Sequence, residues 1–136
     1  MNVELKAVRN AGDLDHERVV LRVRLPDDIG LYVIGDSESI DPESISGRLH
    51  RMFWFPDGRV SAGDLVILYS KKGKDKAKKN KSGSTSHFYY WGFTHPIWNE
   101  PDSAAVLIKI KDFTFKILAD PTEVDEIDTP QENATP

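Results

Sequence analysis

The sequence predicts an all-β domain, built as a two-sheet antiparallel sandwich of about eight short strands with at most one short helix. Apolar and polar residues alternate with a period of two in short segments, as in strands that bury one face. The clearest segment is 17–25, where every second residue is apolar (Val19, Leu21, Val23 and Leu25). Clusters of Gly, Pro, Asn and Asp separate such segments and predict the tight turns between strands.

Seven further segments are predicted as strands: 3–9, 31–34, 51–55, 64–69, 88–93, 104–110 and 113–118. A short helix is predicted after Asp41, because Asp41 is a good helix cap and Pro42 suits the first helical position. Ile45 and Leu49 would then lie four residues apart on one face of that helix.

The composition indicates a protein that needs no covalent support to fold. In 136 residues, 39% are hydrophobic and 10% aromatic, which is enough for the core of one domain. Cysteine is absent, so disulfides, thiolate nucleophiles and cysteine-based metal sites are excluded. The first residues contain no long apolar run, and we therefore expect a cytoplasmic protein without membrane association.

Charge is distributed unevenly along the chain. Between positions 71 and 81 there are seven lysines and one acid, a net charge of +6, whereas the rest of the chain carries −10. Residues 120–136 hold six acids and no base. Neither segment has an apolar pattern that would pack it. The predicted organisation is a β domain at 1–119, which includes a flexible lysine-rich loop at 71–86, followed by a disordered acidic tail at 120–136.

Four stretches of the chain contain short patterns of glycine, aromatic and apolar residues. The stretch 16–21 contains Glu-x-Val-x-Leu, and 29–36 reads Ile-Gly-Leu-Tyr-Val-Ile-Gly-Asp. The stretch 55–68 has a Phe, a turn, Ala-Gly and an apolar strand, and 97–107 begins Ile-Trp-Asn. In order and spacing they resemble the lamin tail domain, an immunoglobulin-like β-sandwich, with Tyr32 in the place of a family Trp. The resemblance implies a non-catalytic adaptor or recognition domain, because the family shares no catalytic residues.

Signatures of catalysis are missing from the sequence. There is no Gly-x-Ser-x-Gly elbow and no Walker phosphate loop. The four histidines, at positions 16, 50, 87 and 95, are too scattered for a short-range metal motif. We therefore expect no enzyme activity, no cofactor and no metal.

Two features are candidates for binding. The lysine-rich segment suits an anionic partner, or it is simply a solvated hairpin tip. The strands at 51–55 and 88–93 carry aromatic residues on both faces, so a shared sheet would leave an exposed aromatic patch unless another segment covers it. The candidate binding residues are Lys71, Lys72, Lys74, Lys76, Lys78, Lys79, Lys81, Phe88, Tyr90, Arg51 and Phe53.

Two functions remain open from the sequence. The first is a protein–protein interaction module that binds a partner protein or a second copy of itself through the aromatic strands and the lysine loop. The alternative is weak, nonspecific nucleic-acid binding through Lys71 to Lys81, since lysines contact phosphates without reading bases. A sequence pI of about 5.5 counts against the alternative.

Overall fold

The computed structural model describes residues 1–118, and the predicted acidic tail lies outside that range. The described residues form eleven strands and a single 3₁₀ turn at Ile29–Leu31, so the predicted all-β class is confirmed. The strands are β1 (Val3–Arg9), β2 (Arg18–Val23), β3 (Asp27–Asp28), β4 (Tyr32–Asp41), β5 (Ser44–Ile45), β6 (Arg51–Trp54), β7 (Arg59–Val60), β8 (Leu65–Lys71), β9 (Lys76–Lys79), β10 (Thr85–Phe93) and β11 (Ser103–Lys109).

The larger sheet has the strand order β1-β2-β8-β10-β9. Its pairs are antiparallel except for β8 and β10, which run parallel. After β8 the chain first forms the edge strand β9, and a hairpin then returns it as β10 into the space beside β8. The prediction of a purely antiparallel arrangement is therefore wrong.

The second sheet is centred on β4, with β11 on one side and β6 on the other. The short strand β5 pairs with the end of β4, and β3 pairs with β7 in a separate two-stranded ladder. Turn chemistry explains the hairpin between β4 and β5, since the Asp41 carboxylate accepts a hydrogen bond from the Glu43 backbone N–H. The helix predicted after Asp41 is therefore wrong.

Alternation along β2 sets one side of the core, as predicted. Val19, Leu21 and Val23 are at most 1% exposed and belong to the same apolar cluster as Tyr32 and Ile34 of β4. Each such side chain stabilises the fold by about 1.5–3 kcal/mol through burial. β2 ends at Val23, and Leu25, which was expected to continue the row, is exposed.

Aromatic rings join the two sheets across the core. The centroid of the Phe53 ring lies 6.4 Å from that of Tyr89 and 6.0 Å from that of Trp91, so β6 faces β10 from the other sheet. Trp98 is 3% exposed, and Leu107 packs against the core cluster.

A buried carboxylate joins three segments of the chain at the core. Glu17 is fully buried and accepts hydrogen bonds from the Gly12 N–H, the Ser70 hydroxyl and the Ile97 N–H. Buried polar groups are stable when they are hydrogen-bonded in this way. Glu17 therefore holds the turn before β2, the end of β8 and the loop before β11 together.

Two further predictions differ from the structure. Residues 76–79 form the strand β9 inside the segment predicted as a loop. Residues 113–118, predicted as a strand, have no regular secondary structure. No helix within residues 1–118 is long and apolar enough to span a membrane.

Candidate functional site

The outer face of the larger sheet is set by the register of its strands, because directly opposed residues share a face. One row across the sheet contains Arg18, Tyr69 and Tyr90, and the next contains Val20, Ile67, Phe88 and Lys76. On β2 and β8 the alternate positions, such as Leu21, Val66 and Leu68, enter the core. We call the outward set the basic aromatic face. It comprises Arg9, Arg18, Val20, Arg22, Ile67, Tyr69, Lys71, Lys76, Lys78, Phe88 and Tyr90.

Three aromatic rings form a row in the middle of this face. The Tyr69 and Tyr90 rings are 5.4 Å apart between centroids and only 10° from parallel. The Phe88 ring lies 6.4 Å from Tyr69 at 24°. All three side chains are half-buried, so each ring keeps some surface in contact with solvent.

Cations lie over the rings. The Lys71 ammonium is 5.1 Å and the Arg18 guanidinium carbon 5.9 Å from the centroid of Tyr69, and the Lys76 ammonium is 5.8 Å from that of Phe88. These are cation–π distances, each worth about 0.5–1 kcal/mol at an exposed site. The cations therefore have preferred positions above the ring row.

Cations on the basic aromatic face come from four of the five strands, β1, β2, β8 and β9. Six of its residues are Arg or Lys, and Glu4, which lies opposite Arg22, is the one acid that the registers of the described strands place beside them. The Glu4 carboxylate contacts the Arg24 guanidinium at 3.4 Å. This face is therefore a positive surface on a protein whose net charge is −4.

The segment between β8 and β9 borders the ring row. A Cβ placed on Gly73 would lie 2.4–2.6 Å from atoms of the Tyr90 ring, so this loop backbone packs directly on that ring. Residues 71–76 and Tyr90 line a shallow depression of about 450 Å³. The depression leads from the lysine-rich loop onto the ring row.

Asp64 positions the start of β10 beside β8. Its carboxylate accepts hydrogen bonds from the Ser61 and Thr85 N–H groups, and it contacts the His87 ring nitrogen at 2.9 Å. Burial alone would raise the pKa of Asp64, but these hydrogen bonds outweigh it and lower the pKa below its ordinary value. Asp64 thereby fixes the parallel pair that carries the three rings.

The structure brings five of the predicted binding residues together on this face: Lys71, Lys76, Lys78, Phe88 and Tyr90. Lys72 and Lys74 line the adjoining depression. Lys79 alternates to the other side of β9 and, with Arg22, lines a polar concavity of about 590 Å³, while Lys81 lies in the turn between β9 and β10.

The other two predicted binding residues lie elsewhere, which corrects the hypothesis of one aromatic patch. β6 belongs to the second sheet, so Phe53 packs into the core instead of joining Phe88 and Tyr90 on a surface. The Arg51 guanidinium forms an ion pair with the buried carboxylate of Asp36. The exposed ring of β6 is Trp54, which contacts Phe113 edge-on at 4.9 Å.

The sequence patterns missed part of this face. Tyr69 is its central ring, and Arg9, Arg18 and Arg22 supply three of its cations. Arg18 and Arg22 alternate with the apolar residues of β2 in the sequence, but their relation to the lysine-rich segment depends on strand order. Only the pairing of β2 with β8 and of β8 with β10 places these residues in one surface.

Among residues 1–118, no group of three or more His, Asp or Glu side chains is placed to hold a metal ion.

No protein-family model matches this chain, and no curated protein matches it. Its resemblance to the lamin tail domain therefore stays a prediction, and function is inferred from the geometry of the basic aromatic face.

Proposed function

We propose that this chain is a non-catalytic interaction module, built on a lamin-tail-like immunoglobulin sandwich, that binds a negatively charged partner through the basic aromatic face. The observation that carries this proposal is the coincidence of a ring row and six cations on one sheet face. Half-buried aromatic residues anchor many binding surfaces, and a positive patch steers negatively charged partners towards them.

A partner protein with an acidic segment fits this surface. Carboxylates would pair with the six cations, and apolar side chains of the partner would cover Val20 and Ile67. A second copy of the chain is also such a partner, because the protein carries ten more acids than bases outside positions 71–81.

Nucleic acid is the second candidate, and the ring row favours it. Phosphates would pair with the same cations, while the rings offer π-surfaces that bases can use. The three arginines add to the lysines, since Arg both binds phosphate and stacks on planar groups.

Affinity capture with matched baits tests this function. The wild-type chain, a Lys76→Ser/Lys78→Ser variant and a Lys111→Ser control would each be immobilised and exposed to lysate with and without nuclease. We expect the double variant to lose partners that the control retains. Partners that survive nuclease indicate protein binding, and partners that disappear indicate nucleic acid. Equal capture by all three baits would refute a role for this face.

A further inference from the structure

The basic aromatic face combines aromatic rings with cations, and this combination favours one class of negatively charged ligand. We propose that the face binds single-stranded nucleic acid, with bases stacked against Phe88 and the exposed part of Tyr69 and phosphates on the surrounding cations, and this inference rests on the proposed function. The face combines the two features that bind a single strand. Its aromatic rings offer π-surfaces to bases, and its Arg and Lys side chains contact the phosphates of the backbone.

The arrangement favours a single strand over the alternatives. In a duplex the base faces are already stacked on one another. A duplex would therefore contact the cations through its phosphates and would make no stacking contact with the rings. An acidic peptide would likewise pair with the cations, but its carboxylates offer no aromatic surface that could stack on Phe88. Unpaired bases are the ligand that engages both parts of this face.

The cations above the rings would change partners on binding. Lys71 and Arg18 lie over Tyr69, and Lys76 lies over Phe88, at 5.1–5.9 Å. A base that stacks on one of these rings displaces the cation above it. The phosphate next to that base then offers the displaced cation a stronger, charge-assisted contact.

The size of the sheet sets the expected length of the site. Five strands spaced about 4.8 Å apart span roughly 19 Å, which corresponds to about six stacked nucleotides at 3.4 Å each. Contacts from about five cations predict a slope near −3.5 in a log–log plot of affinity against salt concentration.

The experiment measures fluorescence anisotropy of a labelled oligothymidylate of about ten nucleotides, which covers the sheet. Three further ligands carry comparable charge: an abasic phosphodiester chain of the same length, a polyglutamate peptide and a DNA duplex. We expect the full chain to bind oligothymidylate at least about tenfold more tightly than the abasic chain, because the abasic chain cannot stack.

Variants separate stacking from charge. Phe88→Leu should weaken oligothymidylate binding about 5- to 100-fold and leave abasic-chain binding unchanged. Trp54→Leu is the matched control, since this exposed ring lies on β6 in the other sheet and its loss should change neither affinity. Lys76→Ser/Lys78→Ser should reduce the magnitude of the salt slope by about 1.4, whereas Lys111→Ser should not.

The outcomes distinguish this inference from the proposed function. If polyglutamate or the abasic chain binds as tightly as oligothymidylate, the face binds anions but the single-strand inference is wrong. Stronger binding of the duplex, or a folded Phe88→Leu protein with wild-type affinity, would also overturn it. If none of the four ligands binds even at low salt, both the inference and an anion-binding function for this face fail. The wild-type ligand comparison decides the matter even if a ring variant does not fold.

Discussion

Replacing Glu17 by Gln should destabilise the fold, although the two side chains have nearly the same shape. The Glu17 carboxylate is fully buried and receives three hydrogen bonds: one oxygen accepts from Gly12, and the other accepts from Ser70 and Ile97. An ionised carboxylate only accepts, whereas the amide of Gln replaces one accepting oxygen with a donating NH₂ group.

Neither orientation of the Gln amide satisfies all three donors. With its oxygen towards Ser70 and Ile97, the NH₂ group faces the Gly12 N–H; in the flipped orientation it faces the Ile97 N–H. A rotating Ser70 hydroxyl can adapt, but a backbone N–H cannot. One buried donor left unsatisfied costs about 1–3 kcal/mol, and the lost charge-assisted bond adds to this, so we expect a loss of about 2–3 kcal/mol.

Urea unfolding followed by circular dichroism measures this loss. With a slope of about 1–3 kcal/mol per molar urea, the midpoint should fall by about 1 M. Ser70→Ala is the matched comparison: it removes one donor and leaves none unsatisfied, so its cost should be near 1 kcal/mol. If the free energy of unfolding of Glu17→Gln lies within about 0.5 kcal/mol of that of the wild type, this carboxylate does not hold the three segments together, and the reasoning is refuted.

Four further substitutions test the packing and the pH response. Gly30→Ala should cost about 1–3 kcal/mol, because its Cβ would lie 2.7 Å from a neighbouring backbone Cα, whereas Gly58→Ala, with its nearest contact at 3.9 Å, should be nearly neutral in the same urea assay. Trp98→Ala should lower the free energy of unfolding by about 3–5 kcal/mol, and an unchanged midpoint would place this ring outside the core. Burial alone would raise the pKa of Asp27, but hydrogen bonds, led by that from Lys109, lower it from 3.8 to about 2. Because the folded-state pKa is depressed, the stabilisation is present above about pH 4 and is lost as pH falls towards 2, by at most about 2 kcal/mol. Lys109→Met should shrink that acid-induced loss, and equal acid sensitivity of both proteins would contradict it.

Local patterns predicted the parts of the fold that depend on one face being buried. The alternation along β2 identified Val19, Leu21 and Val23 as core, and the structure buries all three. The same signal cannot detect β9, because all four residues of that edge strand are exposed and it pairs only with β10. Apolar and polar residues alternate along a strand only when one of its faces is buried. A strand with both faces in water therefore shows no such alternation.

Pairing between strands that are distant in the chain explains why the sequence predicted only part of the basic aromatic face. The lysine-rich segment was predicted from its seven lysines, and Phe88 and Tyr90 were predicted because their strand carries aromatic residues on both faces. Tyr69 and Arg18 join them only through the order β2-β8-β10, which no local pattern encodes. Phe53 was assigned wrongly for the same reason, since its strand pairs with β4 in the other sheet.

The most direct test of the basic aromatic face is a map of the residues that respond to a negatively charged ligand. The backbone amides of the isotope-labelled chain would be followed by NMR during titration with oligothymidylate and, separately, with polyglutamate. We predict that the largest shift changes fall on β2, β8, β9 and β10, centred on Tyr69 and Phe88. Changes centred on β4, β6 and β11, or changes that are absent at low salt with both ligands, would contradict the assignment of this face as the binding surface.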